Sequence, residues 1–276
     1  MKSGDINIGF IGAGNMANAL IKGLIKSRIY LPEQLAASDN DAQKLSYVSE
    51  RFGIICCNSN KELARQYKVI VLSIKPQVIK DVLEEIRDEI SDGHLIISIA
   101  AGMPIKMVRS IIGRDIPIIR VMPNTPALIQ RGISILSAGE TATQYHMDIA
   151  RKIFNAVGKT LVLDEGMMDA VTALSGSGPG YIFRIMESFV AAGEKLGFDR
   201  DTAILLVTQS FLGASHLADE SGLSLSQLRE MVTSPGGTTA AGLAFFEKNQ
   251  LDDIIERAIE AARDRSIELG KKITTD

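Results

Sequence analysis

A chain of 276 residues with 46% apolar and 23% charged side chains has the composition of about two ordinary globular domains. Its net charge of −3, 5% aromatic content and lack of Trp exclude a basic, aromatic-lined surface for nucleic acid. Cys56 and Cys57 are neighbours and His94, His146 and His216 are scattered, so neither a disulfide framework nor a metal site is expected, and no apolar run approaches the ~20 residues of a membrane helix.

The cysteine usage predicts a reduced, cytoplasmic chain, and the first residues carry no leader pattern. Short β-branched runs over 6–11, 34–38, 69–73, 95–99, 116–122, 132–136 and 160–163 read as strands. Amphipathic stretches over 16–27, 41–52, 61–67, 77–90 and 105–112 read as the helices between the first five. Continuous apolar strands alternating with helices predict an α/β fold, with an N-terminal Rossmann-type, doubly wound, mostly parallel sheet covered on both faces.

The β signal stops after residue 163, and 180–196, 200–221, 225–232, 239–248 and 252–270 read as helices. Gly197 closes one helix, Asp199 can cap the next, and Ser224 with Gln227 forms a capping-box pair. The expected division is a dinucleotide-binding domain over 1–164 and an all-α domain over 165–276. Helix 203–217 carries apolar or small residues on several faces, which predicts burial against a second chain and an obligate dimer.

The sharpest local motif is Phe10-Ile-Gly-Ala-Gly-Asn-Met-Ala17, at the first strand-to-helix turn. Gly12 permits the tight turn, Gly14 lets backbone approach a pyrophosphate, and Ala17 lets the helix pack on the strand. The second strand ends Ala37-Ser38-Asp39-Asn40, beside the expected adenine ribose. An acid there grips the 2′-hydroxyl of NAD, whereas a small hydroxyl residue leaves room for the 2′-phosphate of NADP. A one-residue slip exchanges Ser38 and Asp39, and Lys44 is the nearest cation, so residue chemistry alone leaves the two cofactors open.

Ligands of doubly wound sheets sit beyond the strand C-termini. Those positions hold Ser73-Ile-Lys-Pro76, Ala100-Ala-Gly102 and Met122-Pro-Asn-Thr-Pro126. Lys75 reads as a solvated side chain on a Pro-rigid loop whose backbone touches the cofactor, rather than as a catalytic lysine. Asn124 reads equally as a turn former or as a polar hook for nicotinamide. Later, Leu174-Ser-Gly-Ser-Gly-Pro-Gly-Tyr181 and Val232-Thr-Ser-Pro-Gly-Gly-Thr-Thr-Ala-Ala-Gly-Leu243 put small and hydroxyl residues ahead of helices. Such starts either cap and pack helices or hold a small carboxylate without an Arg, and the second is the better candidate site.

These motifs, with Lys75-Pro76, Arg120-Val-Met-Pro-Asn-Thr-Pro126 and Thr233-Ser-Pro-Gly-Gly-Thr-Thr-Ala-Ala-Gly242, taken in order over essentially the whole chain, resemble the pyrroline-5-carboxylate reductase family. The resemblance implies a Rossmann domain followed by a helical dimerisation domain whose helices interlock between two subunits. It implies that substrate lies between one subunit's cofactor domain and the partner's helices, in a family whose dimers often assemble further, into decamers. It implies reduction of 1-pyrroline-5-carboxylate to L-proline, the last step of proline biosynthesis, with NADPH preferred over NADH.

Carried over by position, the cofactor-binding residues are Gly12, Ala13, Gly14, Asn15 and Met16, with Ser38 and Asn40 near the adenine ribose, Asn60 near adenine, and Ile74, Lys75 and Ala101 on the nicotinamide side. Ser234, Gly237, Thr238 and Thr239 would bind substrate, with Glu165 at the pocket's edge. Met231 stands where some members carry Asn, so no cofactor contact is expected there, and Ser-Asp-Asn replaces the family's Ser-Pro-Asp or Arg-bearing ribose loop.

A protonated cyclic imine accepts hydride readily, so alignment and exclusion of water suffice, and no nucleophile, metal or catalytic dyad is required. The expected arrangement puts the substrate carboxylate on the amides of Gly237 and Thr238, with the Thr239 hydroxyl as the catalytic group at the ring nitrogen. Two rival readings are a 3-hydroxyacid or 6-phosphogluconate-type dehydrogenase and an NAD(P)-sensing protein without turnover. The first needs a lysine base on the helical domain, and 180–196 offers only Lys195, at its end.

Overall fold

The computed structural model describes residues 6–275; the leader-free start expected at residues 1–5 lies outside them. Strands β1 (Ile8–Ile11), β2 (Leu35–Ser38), β3 (Ile55–Cys56), β4 (Val69–Leu72), β5 (Leu95–Ser98), β6 (Ile118–Met122), β7 (Gly132–Ala138) and β8 (Gly158–Val162) form one sheet in the order 3-2-1-4-5-6-7-8. All neighbouring strands run parallel except β6 and β7, which are antiparallel.

The apolar strand runs serve both faces of this sheet. Phe10, Val71, Ile97 and Val121 pack with Leu20 and Leu24 of α1 (Asn15–Lys26) and Ile153 and Phe154 of α6 (Gln144–Asn155). Ile11, Ile70, Leu72 and Ile96 pack on the other face with residues of α3 (Asn60–Gln66), α4 (Ile79–Ile86) and α5 (Ile105–Ile112). Helix α2 (Ala42–Phe52) follows β2 and buries Val48. Two-residue β3 is a strand that periodicity cannot reveal, being exposed and at the sheet edge.

The chain forms two compact units, residues 6–177 with 261–275, and residues 178–260. This differs from a division at residue 164 in two respects. After β8, α7 (Met168–Val171) and a wide π-type turn (Thr172–Gly176) stay with the sheet, where Met168 and Val171 pack on Ile135. The last turns of α12 (Leu251–Thr275) also return to the first unit: Ser266 Oγ donates to Asp169 Oδ1 at 2.6 Å.

The second unit contains α8 (Gly178–Lys195), α9 (Arg200–Glu220), α10 (Leu225–Met231) and α11 (Thr238–Lys248). Phe189 meets Phe211 edge-on at 5.5 Å, and Gly193 lets α8 lie against Ala203 of α9. The unit encloses almost no core of its own: in one chain Phe183, Leu205 and Phe245 are each at least 60% exposed. Large apolar side chains left exposed in such number along one set of helices are the mark of an interface.

Candidate active site

The turn after β1 is held from three directions. Gly12 N–H donates to Ser38 O at 2.7 Å, Ala13 N–H donates to Asp39 Oδ2 at 2.8 Å, and Asn18 Nδ2 donates to the carbonyls of Ala13 and Gly14 at 2.9 Å. Gly12 has φ 97°, and a Cβ there would stand 2.5 Å from Ser73 O, so only glycine fits. Gly14 is the N-cap of α1 and no side chain caps it, while a Cβ built on Gly14 meets nothing within 4 Å. The amides of Asn15 and Met16 therefore face open space at the positive end of a helix, which fits the pyrophosphate of a dinucleotide.

That space continues as a cavity of ≈ 380 Å³ along the C-terminal ends of β1, β2 and β4, past Ser38, Asn40, Asn60, Ile74 and Lys75. Pairing of Ile11 with Ser38 resolves the register that the sequence left open. Ser38 is buried and donates its Oγ to Asn60 Oδ1 at 2.8 Å; Asn60 Nδ2 in turn donates to Glu85 Oε2 at 2.8 Å. Asp39 turns back to the glycine-rich turn, and Asn40 is exposed at the rim.

Lys75 is exposed and precedes the short turn Pro76–Val78. Ala101 lies on the loop after β5. Asn124 ties its loop to two other segments: its Oδ1 accepts from Ile133 N–H at 2.9 Å, and its Nδ2 donates to Ser175 O at 3.3 Å. Glu165 is committed inside the first unit, where its Oε1 accepts from Ile105 N–H at 2.7 Å, at the start of α5, and from buried Arg120 at 3.4 Å. Arg120 stood in a motif as a mere letter; its burial and its partner emerge only in three dimensions.

In the second unit, the turn 233–237 leads into α11. Gly236 has φ 70°, and Gly237 is the N-cap with no side-chain cap. The first bond within the helix runs from Ala241 N–H to Gly237 O at 3.1 Å, so the amides of Thr238, Thr239 and Ala240 precede the helical ladder. One expectation is corrected here. Gly237 N–H donates to Ser234 O at 3.0 Å and is used by the turn, so the amides left outside both turn and ladder are those of Thr238, Thr239 and Ala240, of which Thr238 and Thr239 also carry hydroxyls. A Cβ on Gly237 would lie 2.4 Å from Ser234 Oγ and 3.0 Å from the Ser234 carbonyl oxygen, so a larger residue here would make the Ser234 hydroxyl turn away.

At the other small-residue helix start, side chain and backbone bond back to the preceding turn. Ser175 Oγ donates to Val171 O at 3.2 Å, and Ser177 N–H to Thr172 O at 2.8 Å. Lys195 is exposed at the end of α8.

Residues 165–269 match a family model described as pyrroline-5-carboxylate reductase dimerisation, and residues 7–102 match one described as NADP oxidoreductase, coenzyme F420-dependent. The pyrroline-5-carboxylate reductase of Pseudomonas aeruginosa is 42% identical, covering 96% of this chain and 97% of its own length. That of Methanosarcina acetivorans is 39% identical over 96% and 98%. Among solved structures, a pyrroline-5-carboxylate reductase from Coxiella burnetii superposes with TM-score 0.91 at 38% identity, covering 96% of this chain and 98% of that one. The Plasmodium falciparum pyrroline carboxylate reductase with NADP bound superposes with TM-score 0.87 at 33% identity, covering 97% and 99%.

Proposed function

The chain belongs to the pyrroline-5-carboxylate reductase family, an NAD(P)-dependent oxidoreductase of proline biosynthesis that reduces 1-pyrroline-5-carboxylate, and from that premise we propose how its residues divide the work. When bound, NAD(P)H supplies the hydride. The turn over Gly12, Ala13 and Gly14, with the amides of Asn15 and Met16, holds the pyrophosphate. Ser38 and Asn40 face the ribose, Asn60 the adenine, and Ile74, Lys75 and Ala101 the nicotinamide side. Because Ser38 is small and a relative is described with NADP bound, NADPH is the preferred donor.

The uncapped start of α11 carries the substrate reading. It offers bare amides at Thr238 and Thr239, a glycine turn, and three hydroxyls, at Ser234, Thr238 and Thr239, with no metal or base needed. The substrate carboxylate rests on those amides. The Thr239 hydroxyl accepts the hydrogen bond of the protonated ring nitrogen, holding the C=N in the state that takes hydride at carbon. Ser234, fixed over Gly237, closes the anion's side of the pocket. Glu165 sets the pocket's edge indirectly, by holding the start of α5 and Arg120 in place.

The chain assembles through its dimerisation domain, matched over residues 165–269. We take the assembly to be a homodimer through the helices of the second unit, which leave Phe183, Leu205 and Phe245 uncovered in one chain, and decamers to be built from such dimers. Among the described residues no helix is long and apolar enough to cross a membrane.

The assay mixes purified protein with 1-pyrroline-5-carboxylate and either NADPH or NADH and follows the reduced-nicotinamide absorbance. Loss of absorbance with both, faster with NADPH at low concentration, is the expected result. Faster turnover with NADH would overturn the cofactor preference, and no loss with either would overturn the reading as a whole.

A further inference from the structure

We propose that Lys44 reads the 2′-phosphate of NADPH, and that Asp39, the acid at the end of β2, is a positioning residue of the glycine-rich turn instead of a ribose ligand. The proposal rests on the NAD(P)H reading above and adds the residues that discriminate between the two donors.

An acid just beyond the second strand of a dinucleotide fold ordinarily accepts the ribose hydroxyls, and in doing so repels a 2′-phosphate. Here both oxygens of Asp39 are committed to backbone. Oδ2 accepts from Ala13 N–H at 2.8 Å and Oδ1 accepts from Asp41 N–H at 2.9 Å. Each oxygen keeps a second lone pair, but the two amide bonds fix the carboxylate against the turn that carries the pyrophosphate site. Asp39 thereby holds the turn in place for either cofactor.

The cation that can choose lies on α2. Two cavities meet at the glycine-rich turn, the dinucleotide cavity already described and a second of ≈ 460 Å³, and Gly14 and Lys44 line both. The second cavity is also lined by Asn15, Lys22 and Arg51, so three cations face one acid, Asp41. Asp41 is itself occupied: its Oδ1 accepts from Gln43 N–H at 3.0 Å as the cap of α2, while its other oxygen lies 3.4 Å from Lys44 Nζ. Arg51 is turned onto Tyr47, over whose ring it lies at 5.3 Å, and donates to the Tyr47 hydroxyl. Of the three cations, Lys44 alone lines both cavities. A phosphate monoester, close to a dianion at neutral pH, displaces Asp41 from that ammonium; a bare 2′-hydroxyl does not.

The test is binding, read apart from turnover. Dissociation constants of NADPH and NADH are measured by nicotinamide fluorescence, and those of adenosine 2′,5′-bisphosphate and 5′-AMP by calorimetry. Lys44→Ala is expected to weaken NADPH and the bisphosphate by about tenfold or more, with NADH and 5′-AMP changed less than about twofold; Lys44→Arg keeps the preference. Asp39→Asn is expected to weaken NADPH and NADH by the same factor. An unchanged NADPH-to-NADH ratio in Lys44→Ala, or a ratio shifted towards NADPH in Asp39→Asn, would overturn the proposal. Wild-type protein that binds neither nucleotide would instead bring down the NAD(P)H reading beneath it.

Discussion

Gly270 in the last helix stands against Gly102 in the loop after β5, so close that a Cβ on Gly270 would lie 3.1 Å from the Gly102 carbonyl oxygen. Gly102 has φ 70°, and a Cβ there would lie 3.3 Å from Gly270 N. The neighbouring Ala101 is one of the residues proposed for the nicotinamide side, so the close approach of two glycines ties α12 to the loop that carries it.

Gly270→Val adds bulk where helix and loop already touch. Overpacking of this sort costs about 1–3 kcal/mol, which urea unfolding would register as a lower midpoint at unchanged slope. A midpoint equal to that of the wild type would show that the contact yields freely.

Thr239→Ala removes the hydroxyl proposed to meet the ring nitrogen. Losing a hydrogen bond to a charged group costs about 1.5–3 kcal/mol, so kcat/KM should fall roughly ten- to a hundredfold while the dissociation constant of NADPH stays unchanged. Unaltered kinetics would remove Thr239 from the mechanism.

His146 closes a capping box on α6, its Nδ1 accepting from Thr143 N–H at 3.0 Å. That bond needs the neutral ring, and burial holds its pKa below the ordinary 6.5. Between the lowered folded value and the unfolded one the unfolded chain binds more protons, so this contribution is present above about pH 6.5 and is lost as pH falls. His146→Gln keeps an acceptor at the same place and cannot titrate. Urea unfolding at pH 5.5 and 7.5 should show a smaller pH-dependent loss of stability in that variant than in the wild type; equal losses would exclude His146 as a source.

The adjacent cysteines should differ in reactivity. Cys57 is buried, and desolvation, with the negative charge of Glu62, pushes its thiol up to about 11, whereas Cys56 is exposed. Native protein should take up one equivalent of a thiol reagent at pH 8, and a second only on unfolding. Rapid labelling of two thiols in the native state would contradict the burial of Cys57.

The parts of the fold written in local sequence were legible. Runs such as 69–72 and 95–97 are apolar on every side because both sheet faces are covered, and Gly12 marks a turn that only glycine can make. What depends on distant partners was not. Neither the register that buries Ser38 against Asn60 nor the use of Asp39 by Ala13 follows from spacing. Residues 165–177 lack a long amphipathic period, so periodicity assigns no element to α7 and its wide turn. The hydroxyl-rich start of α11 was visible as chemistry, but which of its amides stays open was decided by the Ser234 carbonyl, which takes the Gly237 N–H.

The most direct test is a crystal structure of the protein with L-proline and oxidised NADP. The account predicts the proline carboxylate within hydrogen-bond distance of the Thr238 and Thr239 amides, with the ring nitrogen at the Thr239 hydroxyl and the ring carbon that took the hydride facing the nicotinamide. Proline bound elsewhere, or bound there with its ring turned away from the nicotinamide, would contradict it.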